Sequence, residues 1–191
     1  MSIELLKTLS KSTQYLEQQL LGQLQDAGNT TTLAHYLELL SGAGMVTGLQ
    51  KFSGSATRQR GSSPKMQVLN TALMTAQPGL DPDPSQAFSD RRGHLIESVV
   101  GAHLANAAAA GKCELTYWRD GNREVDFVVR VGNDLTAIEV KSGALRNTLP
   151  GMAAFIDSFG PRRTLLVGGD GIPLEEFLSQ PVEHWVGVES E

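Results

Sequence analysis

The chain has 191 residues, of which 40% are apolar and 19% are charged, and its formal net charge at pH 7 is −5. This balance is typical of a globular protein with one large or two small domains, and the acidic charge argues against a protein that coats nucleic acid. The sequence contains neither an apolar run of about eighteen residues nor a signal peptide, so we expect a cytoplasmic protein without a membrane span.

Charge is distributed unevenly along the chain. Residues 1–80 carry six Lys and Arg against four Asp and Glu, a net charge of +2, whereas residues 81–191 carry ten against seventeen, a net charge of −7. The first part is therefore the better candidate for contact with phosphate groups. The acidic second part is compatible with a site that needs cations before it can accept a polyanion.

The first part of the chain has the element order of a winged helix. Helical spacing of Leu and Tyr predicts helices over residues 12–26 and 29–40. Two strand-like runs follow, over residues 45–52 and 65–69. The loop between the strands is rich in Gly and Ser. Four basic residues in this loop or at its base could contact a nucleic-acid backbone: Lys51, Arg58, Arg60 and Lys65. A winged helix that only docks another protein is the alternative.

We expect two domains, a winged-helix-like domain over residues 1–76 and a second domain over residues 88–191. Residues 77–87 between them contain three prolines, as linkers commonly do. The second domain is predicted to be α/β (α+β), with helices against a mixed sheet in the order αβββαβ. Its expected elements are a helix at 89–110, a strand at 114–119, a hairpin at 124–141, a helix at 150–159, a strand at 163–167, a short helix at 172–178 and a last strand at 182–186.

Residues 124–141 organise the second domain. Apolar residues alternate with mostly charged residues along both runs, which predicts a β-hairpin with one core face and one charged face. Gly132 and Asn133 suit a two-residue loop because both positions tolerate positive φ. With this loop Val131 pairs with Asp134. A slip of one residue would turn a carboxylate into the apolar face, so the apolar pattern selects this register.

The predicted register brings charged residues together in the middle of the strand pair. Asp126 lies opposite Glu139, at about 5 Å across the strands, and Glu124 lies opposite Lys141. Two close carboxylates repel each other unless a divalent cation neutralises them, and Mg²⁺ or Mn²⁺ is bound by one or two carboxylates together with water and phosphate oxygens. Lys141 could then orient a water molecule and offset the charge that develops on a phosphodiester. The alternative is a solvated strand face with a cross-strand ion pair.

A further carboxylate lies in the long helix that precedes the hairpin. Gly93, Glu97 and Gly101 recur at a spacing of four residues, so they share one face of the helix. The two glycines allow the helix backbone to approach a sheet closely, and Glu97 could therefore reach a site on that sheet. The alternative for Glu97 is an ordinary surface carboxylate.

The helix glutamate, Asp126 and the Glu139-x-Lys141 motif, set on the αβββαβ order, resemble the PD-(D/E)XK nuclease superfamily. The resemblance implies that Asp126 and Glu139 bind Mg²⁺, that Lys141 assists the attacking water and that Glu97 is the helix carboxylate of the site. Val125 replaces the proline of the superfamily's name, a common departure that leaves the chemistry unchanged. The superfamily includes members that bind without cutting.

Four longer stretches are similar to the C-terminal region of a prokaryotic AAA-type ATPase family, and that region carries a domain of unknown function. They are residues 28–40, 63–68, 117–127 and 137–143. The resemblance implies an ATPase module as a partner, in the full-length protein or in trans, because this chain contains no phosphate-binding loop of the Gly-x-x-x-x-Gly-Lys-Ser/Thr type. We therefore expect either a nuclease-like module that acts on DNA or a non-catalytic module that docks a protein or positions DNA for the ATPase.

Overall fold

A computed structural model of the chain describes residues 38–53, 64–75, 87–143 and 149–187. The strands in this part of the chain are β1 (Val46–Lys51), β2 (Lys65–Val68), β3 (Glu114–Asp120), β4 (Arg123–Val131), β5 (Asp134–Val140) and β6 (Arg163–Val167). The helices are α1 (Ala72–Thr75), α2 (Ala87–Ala109), α3 (Pro150–Phe159), α4 (Leu174–Ser179) and α5 (Val182–Val186). Residues 38–42 are also helical.

The strands form one mixed sheet of six strands in the order β2-β1-β3-β4-β5-β6. The two hairpins formed by β3, β4 and β5 are antiparallel, whereas β1 runs parallel to β3 and β6 runs parallel to β5. The order α2-β3-β4-β5-α3-β6 confirms the predicted αβββαβ arrangement. None of the described helices is long and apolar enough to cross a bilayer.

The last predicted element is wrong, since residues 182–186 form a helix and not a strand. Val182, Trp185 and Val186 are all buried, and only helical spacing turns these three positions toward the same side. Gly187, at φ 79°, ends the helix, with its amide donating to the carbonyl of Glu183 at 3.2 Å. The Trp185 indole fixes the helix further, because its N–H donates to the Phe177 carbonyl at 3.0 Å.

The predicted winged helix is not confirmed. Its first helix and most of its second lie outside the described residues, and so do the loop residues 54–63. The two strands predicted to form its wing are β1 and β2, and they belong to the six-stranded sheet. Burial of Phe52 explains this difference, because its amide donates to the Tyr117 carbonyl and its ring packs edge-on against Phe155. The proposed linker lies outside the described residues except for Ala87, so the domain boundaries stay a prediction.

The described residues divide into two compact units, one within the ranges Met1–Gly48 and Met66–Ala102 and one within Leu49–Lys65 and His103–Glu191. In the first unit, β2 is joined to α2 through Gln67, which is buried. The Gln67 amide donates to the carbonyls of Val68 at 2.8 Å and Ser98 at 2.9 Å. A side chain at Gly101 would overlap the Gln67 amide, so the glycine permits this close packing, as the sequence predicts for this face of the helix.

The second unit has its core between the sheet and α3. A cluster of buried residues fills this space: Phe52, Trp118, Val125, Val128, Ala137, Met152 and Phe155. The residues that alternate with them, such as Phe127 and Ile138, are fully buried too. The prediction of one exposed, charged face is therefore wrong for the middle of the hairpin. A strand pair covered on both faces reads as a nearly continuous apolar run, and Val128 and Val129 are part of that run.

Candidate functional site

The register of the central hairpin is the predicted one. Val131 pairs with Asp134 across the turn, and the pairing continues to Phe127 and Ile138. Gly132 has φ 59°, as expected for a two-residue loop of this type. The ladder ends one step before Asp126 and Glu139, so these two residues lie at the point where the strands stop pairing.

A β-bulge in β4 lies at the same point. Thr116 pairs with Val128 and Trp118 pairs with Val125, so a single residue of β3, Tyr117, faces two residues of β4, Asp126 and Phe127. Bulges bend a strand and redirect the side chains in them, and they occur often beside active sites. Asp126 is therefore held in an irregular position of an otherwise regular strand.

The Asp126 side chain takes the place of a ladder bond. Its Oδ2 accepts a hydrogen bond from the backbone N–H of Val140 at 2.8 Å. Val140 directly follows Glu139, so this contact fixes the Asp126 carboxylate on β5 beside the glutamate. A hydrogen bond to a carboxylate is stronger than one between neutral groups, and it holds this side chain in one orientation.

Glu139 and Lys141 form the other half of the cluster. The Lys141 ammonium donates to Glu139 Oε1 at 2.6 Å. The glutamate side chain is only 10% exposed and its Oε2 is shielded from solvent, whereas the lysine side chain is 38% exposed. The pair therefore presents a nearly buried carboxylate next to an ammonium that can reach molecules outside the protein.

Glu124 and Lys141 are not ladder partners as predicted, because the β4–β5 pairing ends at Phe127 and Ile138. Its carboxylate accepts hydrogen bonds from the Lys65 ammonium at 3.0 Å and from Nε of Arg119 at 2.9 Å. Two features explain the difference: the β4–β5 ladder has ended before this position, and the bulge changes the alternation of β4. A Cβ at Gly151, near the start of α3, would overlap the Glu124 carbonyl oxygen, so α3 packs directly on the backbone here.

The pKa of Glu124 is lowered by this arrangement. Burial by itself would raise the pKa, but the Lys65 ammonium and the Arg119 guanidinium outweigh it. Because the pKa is lower in the folded protein, the ionised Glu124 contributes its full stabilisation at pH values above the ordinary carboxyl pKa of 4.5. This contribution is lost as the pH falls through the lowered value.

Glu124→Gln should reduce the free energy of unfolding at pH 7 by about 3 kcal/mol, because it leaves the Lys65 charge without its carboxylate. Urea unfolding at pH 7 and pH 3 measures this, and the difference from wild type should shrink at the lower pH.

A matched control is Asp120→Asn at the turn between β3 and β4. Asp120 pairs with Arg123, and both side chains are largely exposed. An exposed pair contributes at most about 1 kcal/mol. Equal losses for the two variants would show that the Glu124 network is an ordinary surface pair.

The predicted basic residues have different surroundings. Lys65 is only 11% exposed and its ammonium is bound to Glu124, which leaves little of it for a phosphate group. Lys51, the last residue of β1, is half-buried. Arg58 and Arg60 lie outside the described residues. Binding of nucleic acid by these residues stays a prediction.

Glu97 lies on α2 and is half-buried. It is on the helix face that also carries Gly101, whose backbone packs against Gln67. Close packing against Gln67 therefore explains the glycine at position 101 without any role for Glu97. The approach of Glu97 to Asp126 and Glu139 stays a prediction.

The donor set at the hairpin suits a hard cation. Asp126 of β4 and Glu139 of β5 both supply carboxylates, and carboxylate oxygens are the ligands that Mg²⁺ and Mn²⁺ prefer. In the part of the chain that the structure describes, no group of three or more His, Cys, Asp or Glu side chains could hold a metal ion. An ion held by two carboxylates would complete its coordination with water and phosphate oxygens, which is the usual arrangement for Mg²⁺.

Two features of the site were not predicted from the sequence. Lys65 and Glu124 are 59 positions apart, and no local pattern signals such a contact. The second feature is the loop after β6, which contains Gly168 and Gly169 and packs against Lys141. Consecutive glycines directly after a short apolar strand are the signal that could have identified it.

Comparison with known proteins gives one family. Residues 92–172 match a family model described as a domain of unknown function, DUF4143. This range covers most of α2 and runs through β6, so it includes Glu97, Asp126, Glu139 and Lys141. Searches of curated proteins and of solved structures give no significant match. The part of the chain that carries the candidate site is thus similar to a domain of unknown function, DUF4143.

Proposed function

We propose that this chain is a Mg²⁺- or Mn²⁺-dependent nuclease-like module of the PD-(D/E)XK type that acts on the phosphodiester bonds of DNA. The observation that carries the proposal is the contact of Asp126 with the Val140 amide at 2.8 Å, directly beside Glu139 and its ion pair with Lys141. The αβββαβ order supports it, because the resemblance seen in the sequence rests on this order. The bulge at Asp126 supports it because bulges occur often beside active sites.

Each residue has a distinct role in this proposal. Asp126 and Glu139 hold the ion, and both are oriented by hydrogen bonds of their own. A bound Mg²⁺ would supply charge neutralisation and a more acidic water molecule. Lys141 stabilises the negative charge that develops on the phosphate in the transition state, and its partial exposure lets it reach a substrate. The buried Glu139 carboxylate accepts a hydrogen bond from this ammonium and directs it toward the site.

An ATPase module is the partner that we propose, in the same protein or in a separate chain. The sequence resemblance to the C-terminal region of AAA-type ATPases supports this. In this arrangement the ATPase would deliver DNA to the hairpin or move it away.

A non-catalytic docking module is the second candidate. The net charge of −5 and the engagement of Lys65 by Glu124 favour it, since both reduce the positive surface that DNA binding needs. In this case the module would regulate or position its ATPase through protein contacts.

Cleavage of DNA tests the first proposal against the second. The wild-type chain, supplied with Mg²⁺ or Mn²⁺, should cut at least one of single-stranded, duplex and branched DNA. Asp126→Ala and Glu139→Ala should each lower the rate by at least about 10²-fold, because either change leaves too weak a site for an ion that loses its hydration reluctantly.

Asp134→Ala is the matched control, since Asp134 lies in the same hairpin at the opposite end. Its carboxylate accepts a hydrogen bond from Arg162 at 2.5 Å, and both side chains are exposed. This variant should cut DNA like wild type. No cleavage by the wild-type chain, or cleavage that persists unchanged in both carboxylate variants, would contradict the proposal and favour the docking module.

A further inference from the structure

The chain leaves β5 and β6 at the same end of the sheet, which is the end that carries Lys141. These strands are parallel neighbours, and Val140 pairs with Val167. One residue further on, the Lys141 amide donates to the Val167 carbonyl at 2.9 Å. The loop that follows β6 therefore begins directly beside the lysine.

Two glycines at the start of this loop lie against the Lys141 segment. Gly168 and Gly169 have φ of 75° and 58°, a conformation that other residues adopt only at a cost. A Cβ at Gly168 would overlap the Lys141 carbonyl oxygen. A Cβ at Gly169 would overlap the Gly143 carbonyl oxygen and lie 3.4 Å from Lys141 Cβ. Neither glycine faces open space, so the contact with the lysine segment explains why both positions lack a side chain.

Backbone hydrogen bonds hold the loop together and attach it to β6. Gly171 donates to the Gly168 carbonyl at 3.0 Å, and Gly168 donates to the Ile172 carbonyl at 2.7 Å. Ile172 in turn donates to the Leu166 carbonyl at 2.8 Å, which ties the loop back onto β6. The loop is thus held by hydrogen bonds of its own in addition to its contacts with Lys141.

We propose that Gly168 and Gly169 are positioning residues for Lys141. They let the loop close on the backbone and Cβ of the lysine, so that its ammonium stays in contact with Glu139 Oε1. The catalytic meaning of this inference rests on the proposed function, but the positioning itself does not. In the nuclease, Gly169→Ala would lower kcat and leave KM nearly unchanged, because the lysine acts on charge that develops in the transition state.

Chemical labelling of lysines tests the positioning without metal or DNA. The full chain is treated briefly with an amine-acylating reagent, and the labelling rate of each lysine is measured by mass spectrometry. Gly169→Ala should raise the rate at Lys141 by about threefold or more relative to Lys112 in the same molecule, since a weakened ion pair exposes the amine. Lys112 is a suitable reference because it too is paired, with Glu183 at 2.7 Å, and 49% exposed.

Gly171→Ala is the matched control in the same loop. A Cβ there would overlap the Leu166 carbonyl oxygen, and its three nearest atoms all belong to Leu166. This variant should lose stability in urea like Gly169→Ala but keep the wild-type labelling ratio. Equal labelling ratios in all three proteins, or an equal rise in both variants, would overturn the inference.

Amide hydrogen exchange of the wild-type chain provides a test that needs no variant. The Lys141 amide should exchange slowly, like the amides of β5, because the loop and β6 hold it. Rapid exchange at Lys141 would show that β6 and the loop after it do not hold the Lys141 segment. If labelling and exchange follow the inference but the wild-type chain cuts no DNA, the positioning stands and the nuclease proposal fails.

Discussion

Replacing Lys141 with alanine is expected to slow DNA cleavage by about 10²–10³-fold, the range measured when one group that stabilises transition-state charge is removed. The affinity for Mg²⁺ should stay close to that of the wild type. The reason is that the ammonium is not itself a ligand in the proposed site, and both carboxylates, Asp126 and Glu139, are still present in the variant. Single-turnover cleavage rates, measured together with calorimetric Mg²⁺ titrations, separate the two effects.

Lys112→Ala is the control for this variant. It also removes an ammonium from an ion pair, with Glu183, and both side chains are partly exposed. Cleavage should be unaffected. The account would be contradicted if Lys141→Ala abolished Mg²⁺ binding, or if Lys112→Ala slowed cleavage to the same degree.

Phe155→Ala is expected to lower the free energy of unfolding by about 3–5 kcal/mol, the usual loss for truncating a buried aromatic residue. Phe155 lies on α3 and is fully buried. Its ring contacts Phe52 at 5.5 Å, Trp118 at 5.6 Å and Phe159 at 4.9 Å between ring centres. The cavity would therefore open where α3, β3 and the segment after β1 meet. Urea unfolding followed by tryptophan fluorescence measures the loss.

The neighbouring residue of the same helix is the control. Ile156 is 43% exposed, so Ile156→Ala should cost less than about 1 kcal/mol. A loss for Phe155→Ala that is no larger than this would show that the aromatic cluster does not hold α3 on the sheet.

The register of the hairpin could be predicted because two local signals agree. Gly132 with Asn133 fixes the loop length. The alternation of apolar residues agrees with the register that this loop gives, although both faces are buried in the middle of the hairpin. Helix ends were predictable for the same kind of reason, since Gly160 ends α3 in the left-handed conformation, at φ 54°. Local rules thus define the strands that carry Asp126 and Glu139, and Lys141 directly follows the second of them.

Contacts between distant segments could not be predicted. Parallel pairing of β1 with β3 joins residues that are 66 positions apart, Gln50 and Thr116. The strand itself was identified, but the apolar pattern does not say which neighbour it takes. The ion pair of Lys65 with Glu124 follows from this topology and could not be inferred without it.

Short apolar segments were the second source of error. Val182, Trp185 and Val186 fit helical spacing, yet five residues are too few to distinguish a helix from a buried strand by pattern alone. Burial of the hairpin on both faces was missed for a similar reason. Val128 interrupts the row of charged residues, and its environment depends on α3, which follows later in the chain.

Calorimetric titration of the full chain with Mg²⁺ and Mn²⁺, in wild type, Asp126→Ala and Asp134→Ala, tests the central claim most directly. The account predicts saturable binding of one ion by the wild type and by Asp134→Ala, and loss of that binding in Asp126→Ala. Absence of binding in the wild type, or equal binding by wild type and Asp126→Ala, would contradict a metal site at the hairpin.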